Sequence, residues 1–237
     1  MHGGPLSSEC GVGVTVPIIV LTNGRPDCIS KSISSALGHL SGVGDGLIVD
    51  DSGDDVYRAW LTEQYAAPVI PVGDGPCGYW KAMRRVWDLA RDLDTDAFVF
   101  WEEDFVLNTD VDVKALTAVL DAHPYLTQMA LLRQPWWPNE VKHGGLIEAL
   151  EAGGGQDFVE RTDGVHTWVE HRACFTGNPC VIPRRTFERD WPEGDWSESR
   201  FGRELFKDPE ARGAYWGSRS DAPRVEHIGH QRVGSNY

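Results

Sequence analysis

The chain has 237 residues, of which 41% are hydrophobic and 24% charged, and its formal net charge at pH 7 is −14. That length is enough for one large domain with a sizeable core. The acidic balance argues against nucleic acid as a partner and against an anionic membrane surface, because both attract proteins that carry a positive field.

The cysteine pattern and the N-terminal composition favour a reducing compartment. The five cysteines are odd in number and include no C-x-x-C pair, which argues against a disulfide framework or a zinc site. The first residues lack the basic and apolar regions of a signal peptide. The longest apolar run, VPIIVL, is far below the roughly 20 residues of a membrane-spanning helix. We expect residues 1–13 to be disordered and the protein to be cytoplasmic, in a bacterium or an infected host of a virus, with no membrane span.

The first half of the chain alternates between short apolar runs and amphipathic segments. Apolar runs rich in β-branched residues predict strands at 14–21, 46–50, 68–72 and 97–101. Apolar residues at helical spacing predict helices at 28–40, 55–65 and 79–91. This alternation predicts an α/β, Rossmann-like domain with a mostly parallel central sheet and helices on both faces.

The second half is less regular. Its patterns predict helices at 110–122 and 197–207, and strands at 126–132, 165–170 and 180–182. Long loops are expected at 133–145 and 151–157. With no repeat and no linker, we expect residues 14–237 to form a single domain with an irregular C-terminal half.

Polar clusters follow three of the predicted strands. They are Thr22-Asn23-Gly24-Arg25, Asp50-Asp51-Ser52 and Glu102-Glu103-Asp104. Because parallel strands end at one edge of the sheet, these clusters are expected to converge on a ligand site there. Three adjacent carboxylates after a buried strand are costly unless a cation compensates them, although a solvated strand end is an alternative.

The segments PIIVLTNGRPDCISKSISSAL, LIVDDSGDD and GYWKAMRRVWDLA, with the carboxylates after FVFW, resemble a GT-A fold glycosyltransferase close to family 2. The resemblance implies a nucleotide-sugar-binding half at 14–108 and an acceptor-binding half with a C-terminal tail at 109–237. It implies transfer of a sugar from a nucleotide-diphosphate sugar to a glycan, lipid or protein hydroxyl. Glu102 stands where the family prefers aspartate, and Asn23-Gly24 replaces a common aromatic-Asn pair.

The resemblance also implies donor-binding residues and a divalent metal, Mn²⁺ or Mg²⁺. The donor-binding candidates are Thr22, Asn23, Arg25, Asp50, Asp51, Gly78, Lys81, Arg85, Glu102 and Glu103. Asp104 is the expected metal ligand, completed by a late histidine, either His227 or His230. Such a cation would stabilise the leaving diphosphate.

An inverting transferase needs a carboxylate to take the proton of the acceptor hydroxyl. The resemblance implies that this base precedes or begins a late helix, where Asp195 and Glu198 are the candidates and Glu198 is preferred. A capping box formed by the same two residues is the structural alternative, and a retaining mechanism stays open. The acceptor-side candidates are Trp136, Trp137, Gly177 and Asn178.

Two other functions are compatible with this sequence. A sugar-phosphate nucleotidyltransferase would carry a glycine-rich loop with a basic residue directly after the first strand, and TNGRP is short and poor in glycine for that role. A non-catalytic carbohydrate-binding module would keep the fold without turning over a donor. The intact acidic clusters favour the transferase.

Overall fold

The computed structural model describes residues 15–154 and 157–229. The strands in these ranges are β1 (Val16–Thr22), β2 (Leu40–Ser41), β3 (Val43–Asp50), β4 (Val69–Pro71), β5 (Ala97–Glu102), β6 (Phe105–Leu107), β7 (Val111–Asp112), β8 (Leu126–Ala130), β9 (Val159–Thr162), β10 (Thr167–His171), β11 (Cys180–Pro183), β12 (Arg212–Trp216) and β13 (Val225–His227). The helices are α1 (Pro26–His39), α2 (Asp55–Gln64), α3 (Tyr79–Asp92), α4 (Val113–Ala122), α5 (Pro138–His143), α6 (Leu146–Ala152), α7 (Arg184–Phe187) and α8 (Ser197–Leu205).

Nine strands form one central sheet in the order β4-β3-β1-β5-β11-β8-β12-β10-β9. Strands β4, β3, β1 and β5 are mutually parallel, and β8 is parallel to β12. Strands β11 and β10 run in the opposite direction, so seven of the nine strands point the same way. The predicted mostly parallel sheet is confirmed.

Apolar layers lie on both faces of this sheet, and β5 shows how the sequence produces them. Val99 and Trp101 belong to a core cluster with apolar residues of α1, α2 and α4. Phe98 and Phe100 belong to a second cluster with apolar residues of α3, α7 and α8. Successive side chains of a strand point to opposite faces, so a strand that is apolar throughout supports two layers of helices. The predicted helices on both faces are confirmed.

The register of the parallel strands brings the predicted strand-end clusters to one edge. Thr22 at the end of β1 is level with Asp50 at the end of β3. Leu21 is level with Glu102 at the end of β5. The residues that follow these strands therefore start from neighbouring positions, as the alternation of strands and helices predicts.

The expected loop at 133–145 contains a helix, so that prediction is wrong for part of the segment. Pro138–His143 form α5. Its start is fixed by Glu140, whose carboxylate accepts hydrogen bonds from the backbone N–H groups of Trp136 and Trp137. A six-residue helix held by a cap shows little apolar periodicity, so the hydrophobic pattern does not reveal it.

The C-terminal part also contains strands that the sequence patterns do not predict. Strand β12 lies between β8 and β10, and β13 pairs with β6 in a separate two-stranded sheet. The predicted disorder of residues 1–13 concerns residues outside the described ranges and stays a prediction. None of the described helices is long and apolar enough to cross a membrane.

Candidate active site

A cavity of about 650 Å³ opens where the strand-end clusters meet. Its lining comes from the ends of β1 and β5, the glycine-rich loop, the start of α3, and residues 194–199. The predicted site residues in that lining are Thr22, Asn23, Arg25, Asp51, Gly78, Glu102, Glu103, Trp137, Asp195 and Glu198. Those outside the lining are Asp50, Lys81, Arg85, Asp104, Trp136, Gly177, Asn178 and His227. His230 lies outside the described residues.

Glu103 is a buried residue of the cavity lining, and both of its carboxylate oxygens have hydrogen-bond partners. It accepts hydrogen bonds from the Thr22 hydroxyl and, at 2.6 Å, from the Arg25 Nε. The Arg25 backbone N–H donates to the same carboxylate at 3.3 Å. The Thr22 oxygen also contacts the Tyr57 hydroxyl at 2.5 Å. Glu103 thus ties the end of β1 to the end of β5.

Asp104 lies behind the cavity, between Arg25 and His227. Its Oδ2 is 2.8 Å from an Arg25 Nη and 3.3 Å from the His227 Nε2. Burial raises the pKa of Asp104, but the hydrogen bonds and charges of His227 and Arg25 outweigh it, so the pKa lies below its usual value. The carboxylate is therefore ionised and paired in the folded protein.

The described residues fit a resident divalent metal only in part. Asp104 Oδ1 and His227 Nδ1 are buried and, within the described residues, make no hydrogen bond, which is compatible with a cation nearby. The Arg25 guanidinium, however, already holds Asp104 Oδ2. No group of three or more His, Cys, Asp or Glu side chains in residues 15–154 and 157–229 has the arrangement of a metal site.

Asp51 holds the glycine-rich loop against the end of β3. Its Oδ1 accepts from the Cys77 backbone N–H at 2.8 Å, and its Oδ2 accepts from the Gly78 backbone N–H at 3.0 Å. Burial raises the pKa of Asp51, although these two donors oppose the change. Gly78 has a φ of 88°, a left-handed conformation that glycine adopts without strain, and it is the residue before α3.

Three predicted donor-binding residues lie elsewhere. Asp50 is buried; its carboxylate accepts from the Ser52 backbone N–H at 3.0 Å and from the Arg58 Nε at 3.2 Å. Asp50 thus stabilises the turn after β3 instead of facing the cavity. Lys81 is exposed with its Nζ 5.4 Å from the Trp80 ring, and Arg85 is a half-buried residue of α3.

Glu102, Tyr79 and Glu198 converge on one wall of the cavity. The Tyr79 hydroxyl donates to Glu198 Oε2 at 3.0 Å. A Cβ at Gly177 would lie 2.9 Å from both Glu102 Oε1 and the Tyr79 hydroxyl, and 3.1 Å from Glu198 Oε2. A side chain at position 177 would therefore push against the ends of these three side chains.

Burial is the largest cause of the pKa shifts of both carboxylates on this wall, Glu102 and Glu198. It raises the pKa of Glu198, against hydrogen bonds from Tyr79 and the Gly177 backbone. It also raises the pKa of Glu102 well above its usual value, and the charges of Asp104 and Glu198 act in the same direction. Two carboxylates with raised pKa values in one cavity are typical of acid–base chemistry.

Two exposed tryptophans belong to the cavity lining. Trp137 and Trp196 both line it, with 45% and 62% of their surfaces exposed. Trp136 instead packs on His227, with ring centroids 4.1 Å apart. Trp196 has φ 58° and ψ 27°, the only positive φ among the described non-glycine residues, and this conformation is costly for a bulky side chain. Asn178 is buried, and its side-chain amide donates to the Leu131 carbonyl at 3.5 Å.

Sequence reasoning misses several residues of the lining. Cys77, Tyr79, Trp80 and Trp196 all contribute to it. Tyr79 could have been predicted from its position. It is the first residue of α3, directly after the glycine-rich loop, and the start of a helix next to a ligand-binding loop faces the ligand. Trp80 has the spacing of a core residue, and nothing in the sequence signals the left-handed conformation of Trp196.

Comparison with solved structures identifies the architecture. The chain matches mannosyltransferase PcManGT from Pyrobaculum calidifontis, in complex with GDP-Man and Mn²⁺, with a TM-score of 0.56 and 13% identity over 87% of this chain and 57% of that chain. It matches S. aureus TarS in complex with UDP-GlcNAc with a TM-score of 0.56 and 14% identity, over 94% of this chain and 60% of that chain. The chain has a GT-A glycosyltransferase fold.

A synthetase bound to CTP is also similar in structure. A CMP:2-keto-3-deoxy-manno-octonic acid synthetase complexed with CTP matches with a TM-score of 0.51 and 12% identity, over 86% of this chain and 90% of that chain. No protein-family model and no curated protein sequence matches the chain. The chain spans little more than half the length of the two GT-A structures above. Because the sequence identity is also low, the similarity establishes the fold alone.

Proposed function

We propose that this protein is an inverting glycosyltransferase that uses a nucleotide-diphosphate sugar. The observation that carries the proposal is that the strand-end groups of β1 and β5 line one cavity with a half-buried carboxylate, Glu198, from the C-terminal half of the chain. A donor pocket and a general base that share one cavity are what such a transfer requires.

The donor side of the cavity is assigned to the strand ends. Asn23 and the Asp51-anchored loop flank the space in which a nucleoside would lie. The Gly78 N–H is already used by Asp51, so the loop is held in place before the donor arrives. Preorganisation of this kind lowers the entropy cost of binding.

Glu198 is the proposed base. The acceptor hydroxyl oxygen forms a bond to the anomeric carbon while the bond from that carbon to the diphosphate oxygen breaks. Glu198 takes the hydroxyl proton, and the diphosphate leaves with the electron pair. The Tyr79 hydroxyl bonds to Oε2 of Glu198 and fixes the orientation of the carboxylate. A pKa raised by burial makes Glu198 a stronger base than an exposed glutamate.

The acceptor is proposed to carry a sugar where it enters the cavity. Trp137 and Trp196 are exposed residues of the lining, and Trp196 precedes Glu198 by two residues. Indole faces are large, rigid and apolar, so they suit the flat apolar face of a pyranose ring. A glycan is therefore the proposed acceptor among the glycan, lipid and protein hydroxyls implied by the resemblance, and Asp195 is available at the same rim to accept from its hydroxyls.

The charge that develops on the leaving diphosphate must be compensated. A divalent cation, such as the Mn²⁺ of the mannosyltransferase complex, is one carrier of that charge. Asp104 and His227 are the residues that would hold it. Arg25, which lines the cavity, is the other carrier.

A sugar nucleotidyltransferase is the second candidate, favoured by the CTP-bound synthetase that matches over 90% of its own length. That reaction binds a nucleoside triphosphate and expels pyrophosphate, so it needs strong positive charge. Within the described residues, Arg25 is the one lysine or arginine in the cavity lining. One cation suits a diphosphate donor better than a triphosphate.

Ligand-induced stabilisation tests the two candidates. We would record the melting temperature with UDP, GDP, dTDP, CDP and CTP, each with Mn²⁺ and with EDTA, because ligands that bind the native state raise it by mass action. A rise with one nucleoside diphosphate supports the transferase. A rise with CTP alone supports the nucleotidyltransferase, and no rise with any nucleotide contradicts both.

A further inference from the structure

Arg25 occupies the position at which a cation is needed. Its Nε is 2.6 Å from Glu103 Oε1, and one Nη is 2.8 Å from Asp104 Oδ2. Its side chain is 20% exposed, and Arg25 belongs to the lining of the cavity. The two carboxylates are buried behind it. A single guanidinium therefore joins the last two carboxylates of the strand-end triplet, and it belongs to a residue that lines the cavity.

The backbone holds Arg25 in place. Arg25 precedes Pro26, and the residue before a proline is restricted to extended conformations. Its φ of −117° and ψ of 83° lie outside the helical region, directly before α1. Its backbone N–H donates to Glu103. A side chain fixed at both ends loses little further freedom when a ligand binds.

The surroundings of Asp104 leave no vacant position beside Oδ2. Arg25 and His227 contact that oxygen, and the Gly229 backbone packs so closely that a Cβ at this glycine would collide with it. The other oxygen, Oδ1, is buried and has no partner within the described residues. A metal could bind Oδ2 of Asp104 only after the guanidinium had moved away.

We infer that Arg25 is the built-in cation of this site, which compensates the leaving diphosphate without a bound divalent metal. This inference rests on the proposed function. Guanidinium suits the role because its planar donors bind carboxylate and phosphate oxygens at the same time. Arg25 then has a second duty, since it also compensates Glu103 and Asp104.

The inference is tested with UDP, GDP, dTDP and CDP by calorimetric titration of the wild-type protein in EDTA and in Mn²⁺. The diphosphate that binds is expected to have the same affinity in both buffers. The Arg25→Ala variant in EDTA should lose about tenfold or more in affinity, as expected when a charge-assisted hydrogen bond is removed. The Arg25→Lys variant, which keeps the charge without the planar fork, should fall between the two.

A second readout follows manganese directly. Removing the guanidinium leaves the buried carboxylates of Glu103 and Asp104 without the cation that they share, which should create a Mn²⁺ site. The EPR signal of free Mn²⁺ should therefore fall when the Arg25→Ala protein is added and stay unchanged with the wild type. Arg58→Ala is the matched control, because Arg58 is 22% exposed and pairs with buried Asp50 outside the cavity lining.

The outcomes are distinct. Diphosphate binding by the wild type that requires Mn²⁺ overturns the inference and leaves the proposed function standing. Equal affinity of the wild type and both Arg25 variants in EDTA also overturns it. If no diphosphate binds in either buffer, the inference and the proposed function fall together. If Arg25→Ala does not fold, the inference is still tested by the affinity of Arg25→Lys in EDTA and by the affinity of the wild type in EDTA and in Mn²⁺.

Discussion

The two sides of the cavity are held in different ways. On the side of β1, β3 and β5, Glu103 and Asp51 are buried and every oxygen of their carboxylates has a protein partner. On the side of α8, Asp195 and Trp196 are exposed. The first side is a rigid, preformed pocket, and the second is open. Substitutions of Glu103 and Asp51 should therefore cost stability as well as affinity, whereas those on the side of α8 should cost activity alone.

The largest effect is expected on the open side, from Glu198→Gln. Removing the proposed base should lower kcat by about 10²–10⁴. The melting temperature should not fall, because burial disfavours the charged form that this substitution removes. Glu193→Gln is the matched control, since Glu193 belongs to the same segment, is exposed and pairs with Arg84. A kcat for Glu198→Gln equal to that of the control would refute the assignment of the base.

Asp51→Ala should show the opposite behaviour on the preformed side. It leaves the N–H groups of Cys77 and Gly78 without their acceptor, at a cost of about 1–3 kcal/mol in the free energy of unfolding. Donor affinity should fall as well, because the loop is released. Denaturant titration and calorimetry measure the two effects. Asp74→Ala, an exposed residue of the same loop, serves as the control. Unchanged stability of the Asp51 variant would contradict the claim that buried hydrogen bonds hold the strand-end side of the cavity.

Trp196→Gly should separate stability from function. Glycine relieves the left-handed conformation at φ 58°, which should raise the free energy of unfolding by about 1 kcal/mol. The loss of the exposed ring should raise the KM for a glycan acceptor and leave donor affinity unchanged. Trp196→Phe keeps an aromatic face and should keep most of the acceptor affinity. An unchanged acceptor KM in the glycine variant would remove Trp196 from the acceptor site.

The smallest effect is a pH dependence of stability from Glu102. Its pKa is raised well above the usual value by burial, with Asp104 and Glu198 adding to the effect. The folded state therefore binds this proton more tightly than the unfolded state, and the stabilisation is lost as pH rises from the unfolded pKa of about 4.3 through the folded pKa. Glu102→Gln should thus gain stability over the wild type as pH increases. A difference in melting temperature that is constant from pH 4 to pH 8 would contradict this.

The fold could be predicted because its signals are local. The strand AFVFW is apolar on both faces, and α1 and α3 carry apolar residues at helical spacing, so a sheet covered by helices follows directly. The meeting of Thr22, Asp51 and Glu102 at one edge follows from the rule that parallel strands end together.

The partners within the site could not be predicted, since they depend on contacts between distant segments. The sequence identifies the acidic triplet and the need for a cation, and the resemblance suggests a metal. In the structure Arg25 pairs with Glu103 and Asp104, a contact that the spacing of these residues does not reveal. Tyr79 is similar, because its hydroxyl acquires a role only where α8 brings Glu198 beside it.

The central claim, sugar transfer from a nucleotide-diphosphate donor, is tested most directly by mass spectrometry of the product. We would incubate the protein with UDP-, GDP-, dTDP- and CDP-sugars and a panel of glycan acceptors, in EDTA and in Mn²⁺. The account predicts one acceptor heavier by one glycosyl residue, with the anomeric configuration of the donor inverted, and no product with Glu198→Gln. Retention of configuration with Glu198→Gln still active, or no transfer from any donor in either buffer, would contradict it.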